Sequence, residues 1–177
     1  MDYIRLTENM INVRLWSDFH RHQEVTKCWR KVNGEWVIID NPFTEDWGEK
    51  EYEFLVKCLK NTVRTGGVVF GAFGAFDDNK LVGFASAESS FFGEKYKYLE
   101  LSSIHVTEER RGSGIGRQLF ERICAWAREM GAQKLYISAH SSVESQSFYR
   151  AVGCREAEEY SRYHAVNEPC ESQLEFV

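Results

Sequence analysis

A glycine-rich turn between a predicted strand and a predicted helix constrains this chain more than any other segment. The turn reads Arg111-Gly112-Ser113-Gly114-Ile115-Gly116, and it follows a strand-like run that ends at Val106. Glycines let the backbone approach an anion closely, and the free N–H groups of the first helical turn point at that anion with the helix dipole behind them. The segment therefore predicts a binding site for a diphosphate.

The residues after this turn have the pattern of an amphipathic helix. Apolar side chains recur at spacings of three and four with charged side chains between them, which predicts one packed face and one wetted face. The apolar set is Ile115, Leu119, Ile123, Trp126, Ala127 and Met130, and Gly131 ends the helix.

Two other phosphate-binding motifs do not match. The dinucleotide pattern G-x-G-x-x-G, read from Gly112, requires a small residue where Arg117 stands. The P-loop pattern requires a Gly-Lys-Ser/Thr sequence that does not follow. A plain structural turn is the remaining alternative.

The turn and a later segment together resemble the GNAT superfamily of acetyl-coenzyme A-dependent N-acetyltransferases. Its motif Arg/Gln-x-x-Gly-x-Gly/Ala is matched by Arg111, Gly114 and Gly116. Its later helix, Asn-x-x-Ala-x-x-Phe-Tyr-x-x-x-Gly-Phe, is similar to the segment from Ser145 to Cys154, although Cys154 stands where the family often has Phe. The resemblance covers residues 67–177.

The resemblance implies a single domain over residues 1–177 of the α/β (α+β mixed) class. The expected architecture is a GNAT-type central mixed, mostly antiparallel sheet flanked by helices. The functional site is expected at a strand splay, where two neighbouring strands separate.

Local patterns predict the individual elements. Asn33-Gly34 between two apolar runs predicts a hairpin of Val25–Val32 and Trp36–Ile39, because both turn residues tolerate positive φ. Predicted helical segments are Glu8–His22, with mixed spacing, Trp47–Arg64 and Val143–Val152. Further predicted strands are Tyr3–Leu6, Val68–Phe76 and Lys80–Glu88 joined by Asp77-Asp78-Asn79, Tyr96–Val106, the parallel strand Lys134–Ala139, Tyr160–His164 and Gln173–Phe176.

Composition limits the classes of protein that fit. A chain of 177 residues with 43% hydrophobic content can bury one sizeable core, and its net charge of −5 argues against a nucleic-acid partner. Five scattered cysteines without a Cys-x-x-Cys pair read as reduced thiols, not as zinc ligands. The start has no signal-peptide pattern and no run of about twenty apolar residues occurs, so we expect a cytoplasmic protein without a membrane partner.

The resemblance assigns acetyl-coenzyme A as co-substrate and implies no metal. Backbone groups of Ile104 and Val106 would hold the pantetheine arm, and the turn would hold the diphosphate with Arg111 and Arg117 as charge partners. The His105 side chain, opposite Ile104, is expected to pack or to face solvent. The full set of predicted coenzyme A contacts is Ile104, His105, Val106, Arg111, Gly112, Ser113, Gly114, Ile115, Gly116, Arg117, Ser142, Ser145 and Phe148.

Tyr149 is the predicted general acid. It matches the tyrosine that in many family members donates a proton to the coenzyme A thiolate, and a phenol with a pKa of about 10 suits that role. The alternative is that Phe148 and Tyr149 are an aromatic pair that packs the helix onto the sheet.

Glu100 is the first candidate for a general base, since part of the family uses a glutamate at this spacing. If the strand is unbroken, Glu100 shares a face with Ser102 and Ile104. His140 is the second catalytic candidate, because it follows a predicted strand end and titrates near neutral pH. Glu88 competes for the same role. An exposed carboxylate is the alternative for Glu100, and His20, Arg21 and His22 are expected on a solvated face.

The function implied by the resemblance is transfer of an acetyl group from acetyl-coenzyme A to a primary amine, by direct attack in a ternary complex. The acceptor would be a small-molecule or peptide amine, bound by the N-terminal third including Trp29 and Trp36, and a homodimer is left open. A non-catalytic acetyl-coenzyme A-binding regulatory module is the alternative, against which Tyr149 argues. Arg117 disfavours a nucleotide-dependent oxidoreductase.

Overall fold

A computed structural model describes residues 1–74 and 79–177. The strands are β1 (Asp2–Arg5), β2 (His22–Val32), β3 (Glu35–Asp46), β4 (Val68–Gly74), β5 (Lys80–Ala87), β6 (Tyr98–Val106), β7 (Lys134–Ala139), β8 (Arg155–Glu156) and β9 (Ser172–Phe176). The helices are α1 (Glu49–Arg64), α2 (Ile115–Glu129), α3 (Val143–Ala151) and α4 (Arg162–Asn167), with 3₁₀ turns at Val13–Trp16 and Glu108–Arg110. The predicted mixed fold with a mostly antiparallel sheet is confirmed.

The main sheet has seven strands in the order β1-β4-β5-β6-β7-β9-β8. Among the described strands, its one parallel pair is β6 with β7, and that pairing covers only Tyr98–Glu100 against Lys134–Tyr136. Beyond these residues β6 pairs with β5 alone and β7 pairs with β9 alone. The predicted splay is therefore present, and it opens toward Val106 and Ala139.

A β-bulge in β6 changes which residues share a face. Ser86 pairs with Ser103, whereas the next residue Ala87 pairs with Leu101, so Ser102 is the extra residue. This break reverses the alternation of side chains along the strand.

The bulge makes the predicted face of Glu100 wrong. Leu101 before the bulge and Ile104 after it both pack on the same core cluster as α2. Glu100 therefore lies on the opposite face from Ile104, together with His105, whose ring lies 5.3 Å from that of Phe84 in the other cluster. A period-two count fails at any strand that carries one unpaired residue.

Apolar clusters on both faces of the sheet fix the strands beside the splay. Leu119 and Ile123 of α2 are fully buried on one face, and Leu59 of α1 packs with Trp16 and Phe84 on the other. Burial of each such side chain stabilises the fold by about 1.5–3 kcal/mol.

The predicted hairpin is confirmed and is longer than its sequence pattern indicates. Asn33 and Gly34 have φ of 52° and 87°, as a two-residue turn of the primed type requires. The β2–β3 pair forms its own two-stranded sheet. The backbone N–H of Trp29 donates to the carbonyl of Ser141 at 2.8 Å, which places the hairpin across the end of β7.

Two local predictions differ from the structure, and one short strand was not predicted. The segment Glu8–His22 contains a 3₁₀ turn instead of a helix, and its last residue begins β2. Tyr160–His164 is not a strand, because α4 begins within it and the Ser161 side chain accepts from the N–H of His164. The two-residue strand β8 was not predicted. Residues 75–78 of the predicted β4–β5 hairpin lie outside the described residues.

A buried ion network joins β6, β7 and β9 at the closed end of the splay. Glu175 is fully buried, its Oε1 accepts from Lys134 Nζ at 2.8 Å and Arg155 Nε at 3.0 Å, and its Oε2 accepts from the Tyr98 hydroxyl at 2.6 Å. Burial by itself raises the pKa of Glu175, but hydrogen bonds from Lys134 and Tyr98 outweigh it and hold that pKa below its usual value.

Glu175→Ala is expected to lower the free energy of unfolding by about 3–5 kcal/mol, because it leaves buried Lys134 and Tyr98 without this partner. The wild-type advantage is complete above the unfolded-state pKa and is lost as the pH falls through the lowered folded-state pKa. Urea unfolding at neutral and acidic pH measures both effects. Glu129→Ala, at the exposed end of α2, is the control, and an equally small change for Glu175→Ala would contradict the prediction.

Candidate active site

The splay opens into a groove of about 1040 Å³. Its walls come from the beginning of β2, from β6, from the turn before α2, from β7 and from α3. A large concave site at which several elements converge is the expected place for a ligand.

Most of the predicted site residues line this groove. They are Ile104, His105, Val106, Arg111, Gly112, Gly114, Ile115, Gly116, Arg117, His140, Ser145, Phe148 and Tyr149. Ser113, Ser142 and Glu100 of the predicted set do not line it, and neither does Glu88.

The glycine turn at the groove has the backbone geometry of an anion cradle. Gly112 and Gly114 have φ of 74° and 84°, and a Cβ built on either would meet no atom within 4 Å. Positive φ, not crowding, therefore requires glycine here. Gly114 is the N-cap of α2, so the unpaired N–H groups of the first helical turn begin at the groove. This geometry fits a diphosphate.

Two arginines flank the cradle. Arg111 and Arg117 are exposed and line the groove. Arg111 Nε donates to the carbonyl of Val106 at 3.3 Å, and an Arg117 Nη donates to the carbonyl of Ala151 at 3.0 Å. Each guanidinium keeps further N–H donors that can reach an anion in the cradle.

Tyr149 lies in the wall of the groove on α3. Its side chain is buried and packs against Phe148 with ring centroids 5.2 Å apart. Burial, with smaller effects from Cys154 and Glu171, raises the pKa of Tyr149, so the phenol keeps its proton at neutral pH. No described residue accepts a hydrogen bond from its hydroxyl, which leaves that proton for a ligand.

Ser142 does not line the groove but caps the helix that forms part of its wall. It is fully buried, caps α3 by accepting from the N–H of Ser145 at 3.3 Å, and also accepts from Gln23 Nε2 at 3.2 Å. Its hydroxyl therefore orients the helix that carries Tyr149.

Arg21 is a groove residue that the sequence placed wrongly on a solvated face. It is only 7% exposed, its Nη2 donates to Glu45 Oε2 at 2.6 Å, and its Nε donates to His105 Nδ1 at 3.1 Å. Burial lowers the pKa of His105 to about 3, and Arg21, Arg111 and His140 add to this effect. His105 is therefore neutral at physiological pH, with its proton on Nε2.

The hairpin contributes its base to the groove and not its tip. The wall contains Arg21, His22, Gln23 and Glu24. Trp29 and Trp36 were expected in the acceptor pocket but do not line the groove. Trp29 stacks under Arg150 at 4.3 Å, and the Trp36 indole donates to Glu156 at 3.0 Å.

Glu100 does not line the groove and contacts a histidine instead. Its Oε1 lies 2.9 Å from His164 Nε2. Burial raises the pKa of Glu100 and the nearby Glu88 adds to this, while His164 opposes it. Glu88 itself accepts from the Thr62 hydroxyl at 2.7 Å.

His140 lines the groove but has no free basic nitrogen. Its Nδ1 accepts from the N–H of Ser142 at 3.2 Å, and its Nε2 lies 3.6 Å from Glu45 Oε1. Burial lowers the pKa of His140 and Arg21 and Arg30 add to this, whereas Glu45 raises it. The neutral ring therefore carries its proton on Nε2, facing Glu45.

Four polar residues that the sequence did not indicate lie near this end of β7. Ser138 lines the groove, and its hydroxyl donates to Glu168. Burial and the charges of Glu168 and Glu45 raise the pKa of Glu171 to about 7, against the effect of Arg30. Glu45, Glu168 and Glu171 come from two distant chain segments, so no spacing in the sequence links them.

The described residues also bear on membranes and metals. No helix among them is long and apolar enough to cross a membrane. Within residues 1–74 and 79–177, no three His, Cys, Asp or Glu side chains are grouped so as to hold a metal ion.

Comparison with known proteins identifies the family. Residues 23–154 match the model of the acetyltransferase (GNAT) family. A search of curated protein sequences finds no match.

Solved structures share the fold over nearly the whole chain. A nourseothricin acetyltransferase has a TM-score of 0.68 at 19% identity, with 98% of this chain and 95% of that chain covered. A protein assigned as a streptothricin acetyltransferase from Bacillus anthracis strain Ames, in complex with acetyl coenzyme A, has a TM-score of 0.67 at 16% identity, with 99% and 96% covered. The aminoglycoside 6'-N-acetyltransferase AAC(6')-IG from Acinetobacter haemolyticus has a TM-score of 0.60 at 15% identity, with 91% and 95% covered. At these identities the likeness shows the fold alone.

Proposed function

Because the chain belongs to the acetyltransferase (GNAT) family, and is thus an acyltransferase, we propose that it acetylates the nitrogen of a primary amine with acetyl-coenzyme A by direct attack in a ternary complex. The observation that carries this proposal is that the glycine cradle lies in the same groove as the Tyr149 hydroxyl, from which no described residue accepts a hydrogen bond. The same groove can therefore hold an anion and present an acid.

The chain offers a binding residue for each part of acetyl-coenzyme A, which when bound supplies the activated acetyl group. The main-chain N–H groups of residues 112–117, with Arg111 and Arg117, would hold the diphosphate. Beyond Glu100 the edge of β6 that faces β7 does not pair with β7, so the backbone at Ile104 and Val106 could bind the pantetheine arm like an added strand, although the Val106 carbonyl also accepts from Arg111 Nε.

Tyr149 would act as the general acid. Its hydroxyl proton would pass to the departing sulfur, and the phenol would recover a proton from the nitrogen or from solvent. Because its pKa is raised, Tyr149 is a phenol and not a phenolate at neutral pH before the reaction.

The charges near the end of β7 favour a cationic acceptor. The charge of Glu171 affects the pKa of Tyr149, and Glu45 and Glu168 affect that of Glu171, so carboxylates lie close enough to the predicted acid to interact with its surroundings. Attraction to this cluster would offset part of the desolvation of an ammonium group.

The test is a panel of amines with detection of the thiol released from acetyl-coenzyme A. The panel contains spermidine, a lysine peptide, an aminoglycoside and nourseothricin, the last two chosen because similar folds belong to acetyltransferases with those names. We expect amine-dependent thiol release and an acetylated nitrogen in the product by mass spectrometry. Tight binding of acetyl-coenzyme A without amine-dependent release would contradict the proposal and indicate a regulatory module.

A further inference from the structure

A chain of hydrogen bonds leads from the groove wall into the protein at the end of β7. The Ser138 hydroxyl donates to Glu168 Oε2, the same Oε2 lies 2.8 Å from His164 Nδ1, and His164 Nε2 lies 2.9 Å from Glu100 Oε1. Resting on the proposed function, we propose that Ser138 and Glu168 form the relay that removes a proton from the acceptor ammonium, with His164 and Glu100 as positioning residues.

The direction of the first hydrogen bond defines what Ser138 can bind. Its only hydroxyl proton points at the Glu168 carboxylate, so the oxygen offers the groove only lone pairs. A surface of this polarity accepts hydrogen bonds from N–H donors and gives none to a carbonyl oxygen. Hydrogen bonding to a carboxylate also increases the negative charge on the oxygen, which strengthens its interaction with an ammonium group.

Glu168 is fixed on one side and open to solvent on the other. His164 is only 7% exposed and stacks on Tyr136 with ring centroids 5.6 Å apart, which holds the imidazole in place between Glu168 and Glu100. The Glu168 side chain is 42% exposed, so a proton that reaches it can leave to water.

The charged neighbours of Glu168 come from several elements. His164 on α4 contacts it, Glu171 lies before β9, and Glu100 and Tyr136 lie on β6 and β7. Of the contacts of Glu168, the hydrogen bond from Ser138 is the one that links it to the groove.

The other candidate bases are less well placed. Glu100 does not line the groove, and Nδ1 of His140 is occupied by a backbone N–H. Ser138 lines the groove, and its hydroxyl donates directly to a carboxylate.

The proposed step is balanced in protons. The ammonium N–H bond breaks and its proton passes to Ser138 Oγ, while the original Ser138 proton passes to Glu168 Oε2. The amine is then neutral with a free electron pair, Ser138 is again a hydroxyl, and Glu168 is a carboxylic acid that returns its proton to water.

Removing the proton from the acceptor amine is a considerable part of the reaction barrier. A lysine-like amine with a pKa of about 10.4 is only about one part in a thousand neutral at pH 7.4. An effective relay would therefore matter most near neutral pH and least under alkaline conditions.

The experiment measures pH–rate profiles of Ser138→Ala and Glu168→Gln with an amine that the panel identifies. We expect kcat/KM to fall on the order of 100-fold near neutral pH, to recover toward alkaline pH, and to be restored in Ser138→Thr, which keeps the hydroxyl. Affinity for acetyl-coenzyme A, measured by calorimetry, should stay unchanged. Ser147→Ala and Glu129→Gln, which remove exposed groups outside the groove, are the matched controls.

Rates with hydroxylamine as the acceptor show whether Ser138 and Glu168 remove a proton or have only a structural role. It is largely neutral near pH 7, so both variants should acetylate it nearly as fast as the wild type. Profiles that superimpose on the wild type after scaling, or equal losses with hydroxylamine, would overturn the relay while leaving the acetyltransferase proposal intact. Absence of turnover with every amine in the wild type would overturn both.

Discussion

Tyr149→Phe is expected to lower kcat by about 10²–10⁴-fold, the range for loss of a general acid. The substitution removes one hydroxyl and keeps the ring that packs against Phe148. Since no described residue accepts a hydrogen bond from that hydroxyl, the fold loses no contact with it. Turnover should therefore fall while the affinity for acetyl-coenzyme A, measured by calorimetry, and the melting temperature change little.

A matched control separates this effect from a general loss of tyrosine hydroxyls. Tyr163→Phe changes a side chain that is 69% exposed on α4, and it should leave kcat unchanged. Full activity of Tyr149→Phe would show that Tyr149 only packs α3. An equal fall of kcat with an acetyl thioester whose thiol is a better leaving group would also argue against proton donation to sulfur.

Gly114→Val is expected to weaken binding of acetyl-coenzyme A by about 10–100-fold. Gly114 has φ of 84°, and a β-branched residue there meets backbone strain of about 1–3 kcal/mol, which the chain would relieve by moving the turn. A displaced turn no longer directs its N–H groups at the anion, and each 1.4 kcal/mol lost corresponds to a tenfold change in Kd. Calorimetric titration with acetyl-coenzyme A gives the number.

The chain supplies a close control for the same substitution. Gly131 follows the other end of α2, has φ of 91°, and also has no atom within 4 Å of a built Cβ. Gly131→Val should therefore cause similar strain and a similar loss of stability, but no loss of affinity. Equal affinities of the two folded variants for acetyl-coenzyme A would show that the cradle is not part of its binding site.

Several elements could be predicted from the sequence because they depend only on the conformational preferences of neighbouring residues. The turn at Asn33-Gly34 and the glycine cradle depend on positive φ, which few residues tolerate, so their identity alone predicts the backbone. The amphipathic pattern of α2 predicts its packed face, because 3.6 residues per turn map spacing directly onto direction. The strand splay and the role of Tyr149 were predicted from the resemblance to the family.

Contacts between distant segments were decided by the tertiary structure. Because of the bulge at Ser102, Glu100 lies on the other face of β6 from the one that was predicted. The amino-acid composition of the strand does not reveal such a bulge. Arg21, which the sequence analysis placed on a solvated face, is a buried groove residue because His105 of the distant strand β6 and Glu45 of β3 contact it.

The sequence by itself thus determined where the backbone turns, which helix faces pack and where an anion can be held, since each depends on neighbouring residues. Only the tertiary structure decided which polar side chains meet at the end of β7. Ser138 and Glu168 are thirty positions apart, and their hydrogen bond exists because β7 and β9 pair and bring the segment before β9 to the groove. Hydrogen bonds require atoms within about 3 Å, a condition that sequence spacing cannot specify across such distances.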